Sequence, residues 1–120
     1  MNVFRFRNEK PNVADRKKEA KKAREKFPNS VPIVFEKDPK SKIESFPKSR
    51  YLIDKNLTIN QFQVLLREKL KLEPTSAFFL LVNGKILIQG ETTLQNVYEK
   101  YQDKDDNFLY ILYSTEQIWG

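Results

Sequence analysis

The sequence predicts an α+β roll, in which one sheet carries its main helix on one face. A length of 120 residues fits a single domain with a buried core. Short segments rich in β-branched and aromatic residues alternate with capped amphipathic segments. Near the carboxyl end, the almost unbroken apolar run NFLYILYS is typical of a strand buried on both faces.

A basic helix is predicted first, over residues 12–27. Asn12 or Asp15 can cap its start, and Phe27 followed by Pro28 ends it. Its apolar positions are Val13, Ala20, Ala23 and Phe27. Because this stripe is narrow, we expect the helix to lie on the body rather than inside it.

Two short strands follow, joined by a longer loop. They are VPIVFEK (31–37) and RYLIDK (50–55), both rich in residues that favour strands. Pro32 lies near the start of the first strand, where its missing amide proton is tolerated.

The strongest local signal belongs to a helix over residues 57–70. Thr58 and Gln61 form a capping box, and Leu57 and Phe62 form a hydrophobic staple. Its apolar face consists of Phe62, Leu65, Leu66 and Leu70.

A hairpin, a short helix and a last strand complete the predicted body. AFFLLVNGKILI contains Asn83 and Gly84, the dipeptide that favours a type I′ turn between two strands. TTLQNVYEKY repeats the capped helical pattern. The run from Phe108 to Tyr113 is too apolar for an edge, so we expect it to lie centrally beside the first strand.

The charge and the missing residue types limit the function. Residues 1–30 hold ten Lys and Arg against four Asp and Glu, whereas residues 31–120 hold twelve of each. This asymmetry indicates that the amino-terminal element has a separate role. The chain has no Cys and no His, which removes the commonest nucleophiles, bases and zinc ligands. We therefore expect no enzyme, metal site or cofactor. The segment MNVFRFRNEKP lacks the apolar stretch of a secretory signal, which indicates a cytosolic protein.

Four segments resemble one family at nearly constant spacing, with a small insertion around residues 86–92. KFPNSVPIVFEK, SRYLIDKNLTINQF, AFFLLVNGK and NFLYILYSTEQIWG are similar to the autophagy-related ubiquitin-like modifiers, the family of GABARAP and the microtubule-associated light chains. The resemblance implies a ubiquitin-like β-grasp body over residues 31–113. It further implies a basic amino-terminal helical region over residues 1–30 and a flexible conjugation tail over residues 114–120.

In that family the last glycine is joined to phosphatidylethanolamine, so the resemblance implies that Gly120 is the acyl donor. A glycine threads a narrow catalytic slot because it has no side chain. The implied partners are a processing cysteine protease, activating and conjugating enzymes, and the autophagosome membrane. Phe79 and Leu81 resemble an exposed apolar pair that these enzymes contact, and Trp119 stands where the family places an aromatic residue.

The resemblance also implies a docking groove along RYLIDK for cargo receptors and autophagy factors. Their short peptides, with an aromatic residue and an aliphatic one three positions later, add as an extra strand. The implied aromatic pocket consists of Glu19, Pro32, Val34, Arg50, Leu52 and Phe108. The implied aliphatic pocket consists of Tyr51, Ile53, Leu57, Phe62 and Leu65. Lys48 and Arg50 would attract acidic residues that flank the motif.

Three residues depart from the family pattern. Ala23 replaces a larger aliphatic residue and should change the shape of the aromatic pocket. Ser30 stands where an arginine is common, and Asp54 where a proline is common. We hypothesise that the charge of Asp54 makes the chain reject some acidic motifs.

Two other functions remain open from the sequence. A β-grasp adaptor that is never conjugated shares the fold, because fold alone does not decide function. A basic helix can also bind tubulin tails, RNA or anionic membrane through Lys17, Lys18, Lys21, Lys22 and Arg24. Phe4 and Phe6 are expected to pack a short amino-terminal turn against the body rather than to stack on bases. We expect a monomer before conjugation.

Overall fold

A computed structural model describes residues 4–115 and confirms the predicted order of helices and strands from the basic helix onward. A short helix precedes the basic helix, where the sequence predicts only a turn. The elements are α1 (Arg5–Glu9), α2 (Val13–Lys26), β1 (Ser30–Lys37), β2 (Arg50–Asp54), α3 (Ile59–Leu70), β3 (Phe79–Val82), β4 (Ile86–Ile88), α4 (Leu94–Tyr101) and β5 (Leu109–Ser114). Ser114 is the buried last residue of β5, so the body extends one residue beyond the predicted boundary at 113. Of the predicted tail, only Ser114 and Thr115 lie within the described residues.

The described strands form one mixed sheet in the order β2-β1-β5-β3-β4. The last strand, β5, is central: it runs parallel to β1, with Ile33 opposite Leu109, and antiparallel to β3. All six residues of β5 are buried, as the apolar run predicted. The edges of this sheet are β2 and β4.

Each face of the sheet has its own apolar core, because successive strand residues point to opposite faces. The larger core joins the sheet to α3 and α4, and includes Phe35, Phe62 and Tyr113. The smaller core joins the other face to α1 and α2 through Phe4, Phe6, Ala20, Val34, Phe108, Tyr110 and Leu112. The main helix therefore lies on one face and the amino-terminal helices on the other.

Local sequence signals explain the start of α3 and the β3–β4 turn. The backbone N–H of Gln61 donates to Thr58 Oγ1 at 3.1 Å, and the N–H of Thr58 donates to Gln61 Oε1 at 2.9 Å. These two bonds form the predicted capping box. Asn83 and Gly84 have φ values of 56° and 72°, the left-handed conformations that a type I′ turn requires.

The prediction that the apolar stripe of α2 packs on the body is wrong for the residues at its two ends. Ala20 is fully buried, but Val13 and Phe27 are 43% and 45% exposed. The residue buried one turn before Ala20 is Arg16, whose Nε donates to Asp106 Oδ2 at 2.9 Å. A buried ion pair therefore holds α2 on the body where the sequence suggested apolar contacts.

The first helix is held by a carboxylate of the sheet. Glu36 on β1 accepts hydrogen bonds from the backbone N–H groups of Arg5 at 2.8 Å and Phe6 at 3.0 Å. It thereby satisfies two free donors at the start of α1, where Phe4 offers no side-chain cap. Phe4 and Phe6 are buried, which confirms their predicted packing on the body. No helix in the described part of the chain is long and apolar enough to cross a bilayer.

Candidate functional site

The edge strand β2 presents an open side. It pairs with β1, with Val31 opposite Ile53 and Ile33 opposite Tyr51, and has no strand on its outer side among residues 4–115. An edge strand leaves backbone N–H and C=O groups unpaired, which makes it a template for an added strand. Its side chains alternate between the α2 side and the α3 side of the sheet.

A pocket of about 230 Å³ lies on the α2 side of β2. Its walls are Glu19, Ala23, Pro32, Arg50, Tyr51, Leu52 and Phe108. All residues of the expected aromatic pocket are here except Val34, which is 0% exposed and belongs to the smaller core. Ala23, which the sequence marked as unusually small, forms part of the wall.

An ionic network lies at the mouth of this α2-side pocket. Glu19 accepts from Lys10 Nζ at 2.7 Å, and its other oxygen lies 2.9 Å from Arg50 Nε. The Arg50 guanidinium also lies 4.8 Å from the centre of the Phe6 ring. Both ion pairs are partly exposed and contribute at most about 1 kcal/mol each. Their effect is therefore to orient Arg50 over the pocket rather than to stabilise the fold.

A second pocket, of about 370 Å³, lies on the α3 side of β2. Its walls are Ile33, Phe35, Phe46, Pro47, Tyr51, Ile53, Phe62, Leu65, Leu66 and Lys69. The expected aliphatic-pocket residues are here except Leu57, which instead packs against the larger core. Leu65, on the predicted apolar face of α3, is 44% exposed and forms part of the pocket wall.

The loop between β1 and β2 supplies Phe46 and Pro47 to the α3-side pocket. Tyr113 of β5 anchors this loop, because its hydroxyl accepts from the N–H of Phe46 at 2.9 Å and donates to the carbonyl of Glu44 at 3.2 Å. Burial of the ring raises the pKa of Tyr113 above that of a free phenol. The hydroxyl therefore holds its proton, and with it the bond to the Glu44 carbonyl, to higher pH than a free phenol would.

Lys48 and Arg50, the expected contacts for acidic flanks, lie at the same end of β2. They share a polar depression with Arg5, Glu9 and Ser49. Arg50 is paired with Glu19 and Arg5 with Glu36. Lys48 is exposed and forms no ion pair within residues 4–115, so it is the cation at this end of the groove that is left for an acidic residue.

Known protein sequences match almost the whole of this chain. A family model described as "Autophagy protein Atg8 ubiquitin like" matches residues 15–120. The chain is 37% identical over 116 residues to "Autophagy-related protein 8" of Coccidioides immitis, which covers 97% of each chain.

This chain belongs to the Atg8 family. The structure of Trypanosoma brucei ATG8 is similar to it, with a TM-score of 0.76 and 34% identity over 86% of this chain and 87% of that one. The mixed sheet is therefore the ubiquitin-like β-grasp, and α1 and α2 are its added amino-terminal helices.

Of the three residues expected to contact the conjugating enzymes in this Atg8 family chain, the structure describes Phe79 and Leu81. Phe79 is half-buried, but Leu81 is 1% exposed, so the expectation of an exposed pair is wrong for Leu81. Leu81 lies in register between Leu112 of β5 and Leu87 of β4, on a sheet face that is covered at this position. Trp119 and Gly120 lie outside the described residues.

The basic face of α2 is solvated in this Atg8 family chain. Lys17, Lys18, Lys21 and Lys22 are exposed and form no ion pair within residues 4–115. Arg24 lies 5.4 Å above the ring of Tyr98. No aromatic side chain suited to base stacking joins them from the amino terminus, because Phe4 and Phe6 are buried.

Sequence reasoning missed several pocket residues of this Atg8 family chain. The pattern around Phe35 indicates a strand but not a pocket, and Phe46 and Pro47 lie in a loop without regular spacing. Lys69 lies at the carboxyl end of α3 among charged residues and looked like an ordinary surface lysine. The one sequence signal for this pocket was the presence of aromatic residues near RYLIDK. Phe35 lies in the strand expected to precede it, and Phe46 lies a few residues before RYLIDK itself.

Proposed function

We propose that this chain is a ubiquitin-like modifier, and not an enzyme, that is joined through Gly120 to phosphatidylethanolamine on autophagosomal membranes. There it recruits cargo receptors and autophagy factors that carry aromatic-x-x-aliphatic motifs. Membership of the Atg8 family supports the conjugation, because the family model extends to residue 120. The geometry of β2 supports the recruitment.

The single observation that carries the docking function is the position of the two pockets. They lie on opposite faces of the sheet, on either side of the edge strand β2, and share Tyr51. In an extended peptide, residues i and i+3 also point to opposite faces, because the side-chain period of a strand is two. A strand added beside β2 therefore directs two side chains three positions apart into the two pockets.

The conjugation needs cysteines that this chain lacks. In the proposed sequence of steps, the carboxylate of Gly120 attacks the α-phosphate of ATP, which forms an acyl-adenylate and releases pyrophosphate. A cysteine thiolate of the activating enzyme then displaces AMP to form a thioester, and exchange with a cysteine of the conjugating enzyme passes the acyl group on and frees the first thiol. The ethanolamine nitrogen attacks the thioester carbonyl, an amide bond forms, and the enzyme thiolate leaves. Glycine suits this transfer because a terminus without a Cβ enters a narrow site.

Lipidation is tested with the chain ending at Gly120, activating and conjugating enzymes, ATP and liposomes that contain phosphatidylethanolamine. We expect a covalent lipid adduct, seen as a mass increase, and its loss in Gly120→Ala. Absence of an adduct on the unaltered chain, with the enzymes active on another family member, would reject the modifier and favour an adaptor that is never conjugated.

Docking is tested separately by fluorescence anisotropy with a labelled peptide that has Trp at position i and Leu at i+3. Ile53→Arg places a charge in the α3-side pocket, and we expect it to weaken binding at least about tenfold. Ile86→Arg alters an exposed isoleucine on the opposite edge strand and serves as the matched control. Equal losses in both variants would contradict docking at β2.

A further inference from the structure

The edge strand β4, on the side of the sheet away from β2, is apolar and open. It pairs with β3, with Leu81 opposite Leu87, and has no strand on its outer side among residues 4–115. Two of its three residues are large and exposed, Ile86 at 39% and Leu87 at 40%. Natural sheets protect such edges with charged residues or proline, because unpaired backbone groups are a template for another strand. Residues 86–88 carry no such protection, so this edge has the composition of a pairing surface.

This edge carries both an exposed isoleucine and a depression. Ile88 belongs to the larger core, and Ile86, two residues earlier in the strand, is on the same face of the sheet. A depression of about 350 Å³ lies between β4 and α4, and its apolar walls include Leu87, Ile88, Val97 and Tyr101. The isoleucine and the depression are therefore neighbours on the α4 side of the edge.

A second copy of β4 fits this edge in antiparallel orientation. When the two Leu87 residues lie opposite each other, Ile86 of each copy lies opposite Ile88 of the other. Opposite residues of a strand pair point to the same face, so each Ile86 side chain lies on the α4 side, beside the depression of the other copy. Every cross-strand pair over residues 86–88 is then apolar, which is the kind of pair that stabilises a sheet.

The charges that flank β4 favour the antiparallel orientation. Lys85 precedes the strand, is exposed and forms no ion pair within residues 4–115. Gln89 and Glu91 follow the strand, and Glu91 accepts from Asn60 Nδ2 at 2.9 Å. Antiparallel pairing places Lys85 opposite Gln89 of the other copy and two positions from its Glu91, within reach of long side chains. Parallel pairing would place the two Lys85 residues side by side, where like charges repel.

From these observations we propose that β4 is a self-association edge, through which two copies of this chain pair about a two-fold axis at Leu87. The pairing joins the two five-stranded sheets into one. A contact through strands of three residues is well below the roughly 1,200–2,000 Å² that stable complexes bury, so the pair is weak, with a Kd on the order of 0.1–1 mM. At lower concentrations the chain is a monomer.

The pairing leaves β2 open in both copies, because β2 and β4 are the opposite edges of the sheet. The pair therefore presents two β2 edges, one at each end of the joined sheet. This consequence for recognition, unlike the pairing itself, rests on the proposed docking of peptides beside β2. A partner with two motifs would then bind the pair more tightly than it binds one copy.

Sedimentation equilibrium of the unaltered chain tests the pairing, at concentrations from about 0.02 to about 2 mM, on either side of the expected Kd. We expect the average mass to rise from 14.3 kDa toward twice that value. Leu87→Lys places like charges at the two-fold axis and should hold the mass at that of the monomer. Val64→Lys, at an exposed position on α3, is the matched control and should pair like the parent. A monomer mass throughout for the unaltered chain, a mass that exceeds twice the monomer, or equal losses in both variants would overturn the proposal.

A cysteine cross-link tests the register, because the chain has no cysteine of its own. Opposite residues of an antiparallel pair have Cα atoms about 4.5–5.5 Å apart, within the range of about 4.4–6.8 Å that a disulfide spans. In a glutathione buffer at about 0.2 mM protein, within the expected range of Kd, Leu87→Cys should form at least about tenfold more disulfide-linked dimer than Val64→Cys. Equal cross-linking of the two variants would overturn pairing at Leu87.

Discussion

Arg16 and Asp106 form a buried ion pair across 90 residues of sequence, with 2.9 Å between Arg16 Nε and Asp106 Oδ2. Arg16 also donates to the carbonyls of Lys10 and Pro11. Asp106 accepts from the N–H of Phe108 and from the hydroxyl of Tyr110. The pair therefore connects the amino-terminal helices to the entrance of the central strand.

Asp106→Asn should destabilise the protein strongly. The change leaves the Arg16 guanidinium buried without its counter-ion, and loss of one partner of a buried pair costs about 3–5 kcal/mol. Urea unfolding at neutral pH measures the difference. Asp105→Asn, at the exposed neighbouring position, is the control and should change the free energy of unfolding by less than about 0.5 kcal/mol. Similar values for the two variants would contradict a structural role of the pair.

Stability should decrease above about pH 10, because burial raises the pKa of Tyr98, Tyr110 and Tyr113. In the unfolded chain these phenols lose their protons near pH 10, whereas in the folded chain they hold them to higher pH. The unfolded state then binds fewer protons, so the free energy of unfolding falls with rising pH. Urea unfolding between pH 8 and 11 should show this slope, and Tyr98→Phe should make it shallower. An unchanged slope would contradict the contribution of Tyr98.

Tyr113→Phe should loosen the loop that completes the α3-side pocket. The variant removes the hydroxyl that binds the N–H of Phe46 and the carbonyl of Glu44. We expect faster hydrogen exchange of the Phe46 amide and a stability loss of about 1 kcal/mol. The Phe35 amide, which donates to the carbonyl of Ser49 at 2.7 Å, is the internal reference. Uniform acceleration at both amides would indicate global destabilisation instead.

Asp54→Asn should strengthen binding of acidic peptides to the groove. Asp54 is exposed at the end of β2, and Asn keeps an oxygen that can accept from the N–H of Asn56, as Asp54 Oδ1 does at 2.8 Å. Removal of a like charge near the peptide should lower Kd about twofold to fivefold at low salt, and less at high salt. Asp105→Asn controls for net charge. Equal affinity of the parent and Asp54→Asn at low salt would reject the hypothesis.

The elements of the fold could be predicted because their signals are local. The capping box of Thr58 and Gln61 marks α3, and Asn83 with Gly84 marks the hairpin turn. The central position of β5 follows from its unbroken apolar composition. None of these signals depends on distant partners.

The remaining features depend on contacts between distant segments. Arg16 has the sequence context of a solvated lysine-rich helix, and the carboxylate that neutralises it when buried belongs to Asp106, 90 residues away. The resemblance implied that Leu81 is exposed, but it lies between β5 and β4 and is 1% exposed, which the sequence of β3 alone does not show. The pocket residues were expected from the resemblance to the family. Val34 and Leu57 do not line the pockets expected for them, because a resemblance does not describe how side chains pack in this chain.

The two pockets differ in how they are built. The wall of the α2-side pocket includes Glu19 and Ala23 from α2, so this pocket exists only while the amino-terminal helices stay docked. All walls of the α3-side pocket come from β1, β2, α3 and the loop before β2. A binding partner that lifted the amino-terminal segment away would erase one specificity determinant and spare the other. If peptides dock beside β2 as proposed, one of the two pockets therefore depends on the amino-terminal helices and the other does not.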